Sequence, residues 1–392
     1  MTMTSDAPVL LGWARSAVVP RGGALAQLAA HEIAAPVAKA LLARSGVDAR
    51  AVDAMVCGNA LGAGGNPARM VALAAGLPEC TAAFSVDTQC CSGLDAVSMA
   101  AGLIAAGQAQ VVVAGGVEAW SRSPIRQHRP LTPDEAALPY ERPAFAPDPA
   151  RDPDLLLAAA RYAGQACIAR TAQDAYAVRS HAKALAWRER MASEIVPIGA
   201  AVHDSYARAL TDERAARTPV EAVSDQCASS DVDPRATAVS RLAIAPQADG
   251  AAFVLMASPQ AATALGLPAL LRWRGALAVG IAPEMPMLAA ARAAKGLLAR
   301  QRLAASALWG VELHEAFAVQ ALAFADELGI APEQLNRGGG GLARGHPIGA
   351  SGAVSLVRLL ADMALEAHSG ALGLACIAAA GGLGSAALVE KP

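Results

Sequence analysis

Three residues have the types and settings that acyl chemistry requires: Cys90, His314 and His346. Cys90 ends an extended segment, Phe84 to Gln89, and stands just before a helix that begins near Ser92-Gly93. At such a junction, free backbone N–H groups and the positive end of the helix favour a thiolate. A thiolate is the nucleophile that acyl transfer needs. Cys91 meets the same description, and a cysteine beside a helix start often has only a packing role. His346 lies in Gly338-Gly-Gly-Gly-Leu-Ala-Arg-Gly-His-Pro-Ile-Gly-Ala-Ser-Gly. Glycines on both sides let the backbone approach a ligand closely, and Pro347 pins the chain ahead of the next helix. A histidine held there can take a proton from a thiol. The same run also suits a tight packing turn; it lacks the lysine and spacing of a phosphate loop. His314, in Val311-Glu-Leu-His-Glu-Ala-Phe-Ala, sits where a strand enters a helix, a place that equally suits a capping or core histidine. A cysteine with separated histidines is one pattern of a thiol acyltransferase. Spacing alone leaves open whether the three meet.

The elements that must position them alternate along the chain. Helical patterns cover Ala24 to Leu42, Pro67 to Ala75 and Ser92 to Ala106, with strand-like segments at Ala54 to Cys57, Phe84 to Asp87 and Val111 to Ala114. Such alternation predicts a mostly parallel sheet covered on both faces. Eight prolines between Ser121 and Asp154 mark an excursion outside the core. Helical pattern returns over Leu155 to Met191, and a polar, charged stretch follows to about Arg241. A buried strand is predicted at Gly250 to Met256, then helices at Met287 to Leu298, Glu315 to Leu328 and Ala350 to Ala367. Strands are expected near Leu308 to Glu312, Ala371 to Ile377 and Ser385 to Glu390. Two α/β halves flanking an irregular insertion suggest a duplicated core.

The composition sets the outer limits. The chain has 392 residues, 54% hydrophobic and 17% charged, with 32 Lys+Arg against 34 Asp+Glu. The length predicts two or three structural domains, and the near-zero charge argues against a nucleic-acid binder. Two uncharged runs, Ala96 to Val117 and Ser369 to Val389, have the length of a membrane span. Both are built from Ala, Gly and Ser rather than the Leu, Ile and Phe that favour insertion, and each breaks at a glycine turn. They read as buried elements of a soluble protein. The segment Met1 to Leu11 has no secretory pattern. The seven cysteines are scattered outside metal-ligand spacing and read as cytosolic thiols.

Together the blocks resemble the thiolase family, from near the N-terminus to Glu390. Cys90-Cys-Ser-Gly-Leu matches its nucleophile motif, with Cys90 in the acylated position. Ala114-Gly-Gly-Val-Glu-Ala-Trp-Ser resembles the strand after the nucleophile helix. Gln173-Asp-Ala-Tyr-Ala-Val-Arg-Ser-His resembles a helix of the loop domain. His314-Glu-Ala-Phe matches a block where many members have Asn-Glu-Ala-Phe and the long-chain fatty-oxidation type has His. Gly345-His-Pro-Ile-Gly-Ala-Ser-Gly matches the histidine block. The resemblance implies an α/β fold with a five-layer α-β-α-β-α core from two duplicated halves. Residues 1–118 with 245–268 would form one half and 269–392 the other, with a loop domain at 119–244. It implies coenzyme A thioesters as substrates, no covalently bound cofactor and no metal. It also implies a role in fatty acid metabolism and a homodimer or homotetramer, with 121–154 in the place of the tetramerisation loop. Cys90 would be acylated, His346 would activate it, and His314 would stabilise a thioester enolate.

The departures from the family bear on function. Thiolases carry a second cysteine near the C-terminus that moves the α-carbon proton. Aligning Gly373-Leu-Ala with Gly381-Gly-Leu-Gly places Ala378 there, and the glycine whose N–H builds the second oxyanion hole corresponds to Ala379 or nearby. Cys376 stands two residues earlier, on the same strand face about 6–7 Å away, as a doubtful substitute. In the coenzyme A region, resemblance points to Arg214 and to Ala245, which replaces the usual pantetheine-contacting serine in Ala243-Ile-Ala245; Leu155-Leu156 replaces the usual Met-Gly. The first reading is therefore an acyl-coenzyme A C-acyltransferase. A decarboxylative condensing enzyme or simple acyltransferase using Cys90, His314 and His346 is the alternative. A catalytically weak acyl-coenzyme A-binding subunit is a third.

Overall fold

The computed structural model describes residues 7–229 and 233–392; the reading of residues 1–6 lies outside them. In the first part of the chain, β1 (Val9–Ser16), α1 (Ala30–Ser45), β2 (Ala54–Gly58), α2 (Pro67–Ala74), β3 (Ala82–Val86), α3 (Ser92–Ala105) and β4 (Val111–Ala119) alternate. The proline-rich stretch carries a short strand pair, Arg126–His128 with Leu138–Tyr140, and one turn of 3-10 helix, Pro149–Arg151. The helices α4 (Leu155–Gln165) and α5 (Arg170–Met191) follow, and β5 (Ala248–Ala257) returns to the core. The last part contains β6 (Leu271–Gly280), α6 (Ala289–Gln301), β7 (Leu308–His314), α7 (Ala318–Leu328), α8 (Ser351–Glu366), β8 (Leu372–Ala379) and β9 (Leu383–Glu390).

The strands lie in the order β7-β8-β9-β6-β1-β5-β4-β2-β3. The order divides into two sheets, β3 to β1 and β6 to β7, which meet through only two residue pairs, Val9↔Arg272 and Leu10↔Leu271. Strand alternation then builds the layers. In β5, Phe253 and Leu255 face one apolar cluster with α1 and α2, while Val254 and Met256 face a second. In β8, Ala375, Ile377 and Ala379 face that second cluster, while Leu374, Cys376 and Ala378 face a third with α6 and α7. The second cluster is filled by α3 and α8, which touch each other and strands of both sheets. Helices, sheet, helices, sheet, helices: the five layers are in place, and strands buried on both faces explain the unbroken apolar runs.

The apolar stretch Ile348–Glu366 is long enough to cross a membrane but lies mostly buried inside the fold. Every residue of α8 from Ser351 to Met363 is buried, Arg358 and Asp362 included. Arg358 bonds Asp362 at 3.0 Å and also pairs with Glu194; Arg15 bonds Glu194 at 2.6 Å and Asp204 at 2.7 Å. Buried charges demand such pairing, and here the chain of pairs pins α8 and β1 to the segment after α5.

Some boundaries differ from the sequence expectation. The helix expected from Ala24 begins at Ala30, where the Glu32 carboxylate accepts the Ala29 N–H at 2.8 Å and fixes the start. The helix expected from Glu315 begins at Ala318, because Gln320 accepts the Ala316 N–H at 3.1 Å and Glu315 is turned into the core. The pattern over Leu155 to Met191 breaks into two helices at Cys167, whose φ is +52°.

Candidate active site

The bend that presents Cys90 is tied from within. Ser92 Oγ accepts the Thr88 N–H at 2.9 Å and donates to the Gln89 carbonyl at 2.5 Å. Gln89 takes a φ of +57°, a conformation that a residue with a Cβ holds only when its surroundings impose it. Thr88 donates to Asp95 at 2.6 Å, and Asp95 accepts Ser385 of β9 at 2.6 Å, so the bend is anchored to the opposite sheet. Cys90 is left 8% exposed.

His346 is set from the other half. Its N–H donates to the Pro246 carbonyl at 2.7 Å. Its Nδ1 stands 2.7 Å from Ser351 Oγ, whose hydroxyl donates to the Pro347 carbonyl at 2.9 Å. With that hydroxyl proton committed, Ser351 accepts from Nδ1–H, which assigns the proton to Nδ1 and leaves Nε2 as an acceptor. Nε2 faces Cys90 Sγ at 3.2 Å.

Burial pushes the Cys90 thiol up to about 12; the Ala380 and Cys90 backbone N–H groups pull the other way, and the charges of Glu118 and Asp87 push further up. Burial likewise pushes His346 down to about 4. The pair therefore rests as neutral thiol and neutral imidazole. The thiolate expected from the helix start does not form, because desolvation outweighs the N–H groups. Cys91 is fully buried with its sulfur 3.7 Å from the Ile377 carbonyl, so of the two neighbours Cys90 faces the histidine.

His314 is buried, and its ring centroid lies 4.4 Å from that of His346. Burial, then His346 and Arg344, hold it well below its ordinary pKa, and its Nε2 has no partner among the described residues. The glycine run makes room for this block. A Cβ on Gly341 would stand 2.7 Å from His314 Cε1, and one on Gly340 would stand 2.0 Å from both Glu315 oxygens. Glu315 in turn accepts Asn336 at 2.8 Å and the Gly341 N–H at 3.0 Å. The run is a packing turn that clears space for two side chains.

Residues 9–260 match the thiolase N-terminal domain, and residues 267–391 match the thiolase C-terminal domain. The chain belongs to the thiolase family. A putative acetyl-CoA C-acetyltransferase of Bacillus subtilis is 36% identical over 94% of this chain and 95% of its own length. An acetyl-CoA acetyltransferase of Chromobacterium violaceum is 34% identical, covering 96% of this chain and 98% of the relative. Among solved structures, the Acat5 thiolase of Ascaris suum in complex with coenzyme A has a TM-score of 0.88 at 28% identity, over 98% of this chain and 100% of that one. The Bacillus anthracis acetyl-CoA acetyltransferase has a TM-score of 0.87 at 30% identity, over 99% of each chain. This thiolase is an acyltransferase.

Relative to the family pattern, Ala378 stands near the end of β8, 8% exposed and opposite Gly384. Cys376 shares its strand face but is fully buried among Leu374, Leu388 and the outer helices. Ala380, one residue past Ala379, is one of the two residues whose backbone N–H pulls the Cys90 thiol down, the other being Cys90 itself. Ala245 lies beside the His314 block, its N–H donating to the Ala316 carbonyl at 2.9 Å. Arg214 is exposed on the short helix Asp212–Ala216, with its guanidinium 3.4 Å from the Ala209 carbonyl, and does not join the Cys90–His346–His314 group. Sequence reasoning missed Ser351 and the buried carboxylate of Glu118. Both lie inside blocks it singled out, and Ser351, at the start of a helix five residues after His346, was the more visible.

Proposed function

We propose that this thiolase makes or cleaves 3-ketoacyl-coenzyme A through an acyl-thioester on Cys90. The observation that carries the reading is the 3.2 Å approach of His346 Nε2 to Cys90 Sγ, with the Nδ1 proton held by Ser351. As the sulfur attacks a thioester carbonyl, Nε2 takes the S–H proton, and it returns that proton to the leaving coenzyme A thiolate. The Ala380 N–H at the sulfur is placed to steady the charge that develops there. His314, with Nε2 unpartnered beside His346, would hold the oxygen of the second thioester as its enolate.

Coenzyme A thioesters are substrates in this reading, with no cofactor bound covalently. The loop region 119–244, exposed Arg214 and the Ala243-Ile-Ala245 strip would hold the coenzyme A tail, the strip without a serine hydroxyl. The complex of the Ascaris thiolase with coenzyme A supports this. A homo-oligomer is supported by the unpaired edge of β3, where Phe84 is 47% and nearby Met99 51% exposed. All seven cysteines are unpaired, which supports a reducing, cytoplasmic setting.

A second reading is favoured by Ala378. With a methyl group there and Cys376 buried, no side chain at the end of β8 can remove an α-proton. A carbanion formed by loss of carbon dioxide needs no such base, as in a decarboxylative condensing enzyme. Two incubations separate these readings. Thiolysis of acetoacetyl-coenzyme A by coenzyme A is the expected result. Condensation seen only with malonyl- plus acetyl-coenzyme A would replace it with the decarboxylative route. Intact mass showing no adduct on Cys90 with any acyl-coenzyme A would sink both and leave a binding subunit.

A further inference from the structure

We infer that Glu118 is the positioning residue of the Cys90–His346 pair: its buried carboxylate pegs the turn after His346 to the loop after β2. This rests on Cys90 as the nucleophile. Glu118 is the penultimate residue of β4 and is 1% exposed. One oxygen accepts Asn59 Nδ2 at 2.9 Å and the Leu61 N–H at 3.3 Å; the other accepts the Ala60 N–H at 3.1 Å and the Gly349 N–H at 3.0 Å. All four donors are neutral amides, three of them backbone. A carboxylate so placed orders backbone.

The peptide it holds is the one that matters. Gly349 lies midway between His346 and Ser351, the residue that sets the tautomer of His346. The far side of Gly349 is seated in a nest of glycines: a Cβ on Gly116 would stand 2.0 Å from its carbonyl oxygen, one on Gly58 2.7 Å, and one on Gly93 2.8 Å. Gly93 is the second residue of α3, the helix that starts just past Cys90. The turn carrying His346 is thus held at its N–H by Glu118 and closely packed at its carbonyl by β2, β4 and the start of α3, the helix that follows Cys90. Among the described residues, Glu118 is the side chain that bonds the Gly349 N–H. Its charge opposes the Cys90 thiolate, and burial pushes its own pKa up to about 7 against the pull of the Ala60, Gly349 and Leu61 N–H groups. Its four amide donors, one of them the Gly349 N–H, show that this carboxylate serves geometry.

That opposition gives the test its sign. In full-length Glu118→Gln, loss of the charge by itself would raise Cys90 reactivity, whereas loss of the peg puts an NH2 group against N–H donors and loosens His346. The rate of Cys90 alkylation by iodoacetamide is read at pH 8 by peptide mapping, with exposed Cys80 as internal reference. The expected result is a fall of about 10- to 100-fold at Cys90 alone, as a small misplacement of a proton acceptor produces. In a His346→Ala background the same substitution should add little, since the two act in series. Glu118→Asp, which keeps the charge but shortens the peg, should fall between, and it carries the same comparison if the glutamine variant does not fold. An unchanged or raised Cys90 to Cys80 ratio would overturn the proposal, and so would an equal fall with and without His346. None of these rates needs an acyl-coenzyme A, so a failure of the proposed reaction would show separately, as a missing acyl adduct.

Discussion

Two regions meet at the site, and they are furnished differently. Around Cys90 and His346 the polar atoms are engaged: Nδ1 has Ser351, Nε2 has the thiol, and the Ala380 N–H favours charge on the sulfur. At the end of β8, Ala378 and Ala379, followed by Ala380, offer methyl side chains, and Cys376 on the same strand is fully buried. The half of the site that would form the proposed acyl-enzyme thus has a thiol, an imidazole acceptor and a held tautomer. The half that would handle an α-carbon proton in the proposed reaction presents Ala378. The difference teaches that acylation and carbon–carbon chemistry are separable in this fold, each dependent on its own strand end.

Breaking the furnished side should have the largest effect. His346→Ala should slow acylation of Cys90 by about 10²–10⁴-fold, the usual range for a removed general base, read by time-resolved intact mass. The pH profile sharpens the same point. Because burial holds His346 near about 4 and Cys90 near about 12, Nε2 stays free and the thiol stays protonated through the neutral range. Neither His346 nor Cys90 should therefore give a limb in that range; any change there belongs to Glu118, pushed up to about 7, and the rate should fall as pH drops through the depressed histidine value, where Nε2 takes a proton. In His346→Ala the rate should instead climb with pH as thiolate accumulates. A wild-type limb at the ordinary histidine pKa that persists in Glu118→Gln would contradict the buried neutral pair.

Re-equipping the bare side comes next. Ala378→Cys should raise thiolysis of acetoacetyl-coenzyme A by roughly 10- to 100-fold while leaving the acylation rate of Cys90 unchanged, since it restores an acid/base group to one step only. Position 378 is 8% exposed, and its partner across the ladder is Gly384, against which the Ala289 carbonyl packs. Unchanged thiolysis would mean that the proton is handled elsewhere, and the contrast between the two sides would lose its chemical meaning.

Much of this was legible in the residue order, and what was not has definite causes. The alternation of β2, α3, β4 and α8 showed because strands buried on both faces read as apolar runs. The strands β1 and β6 did not show: each carries a register irregularity, at Leu10/Gly12 and Trp273/Gly275, which breaks the period of two that marks a strand. The meeting of Cys90 with His346, across 256 positions of sequence, was suggested by motif resemblance and by no local pattern. The ionisation of Cys90 was misjudged because a helix start is a local feature, whereas desolvation depends on every layer packed around it. Ala245 and the His314 block stand apart in the sequence, and the backbone pairing of Ile244 with Phe317 and of Ala245 with Ala316 shows that they are neighbours.

The smallest effect is expected where the two regions are most easily confused. Cys376 lies on the same face of β8 as Ala378, and by type it is the residue best suited to stand in for the missing cysteine. Its sulfur is fully buried in the outer cluster with Leu374 and Leu388, and burial pushes its thiol well above the ordinary range. A thiol that neither meets substrate nor ionises can only pack. Cys376→Ala should therefore leave both acylation and thiolysis within about twofold, and lower stability by about 1 kcal/mol for the small cavity left behind, read by denaturant unfolding. A large loss of thiolysis with acylation intact would show that the strand end shifts to bring this sulfur to the substrate, and the bare region would prove to be furnished after all.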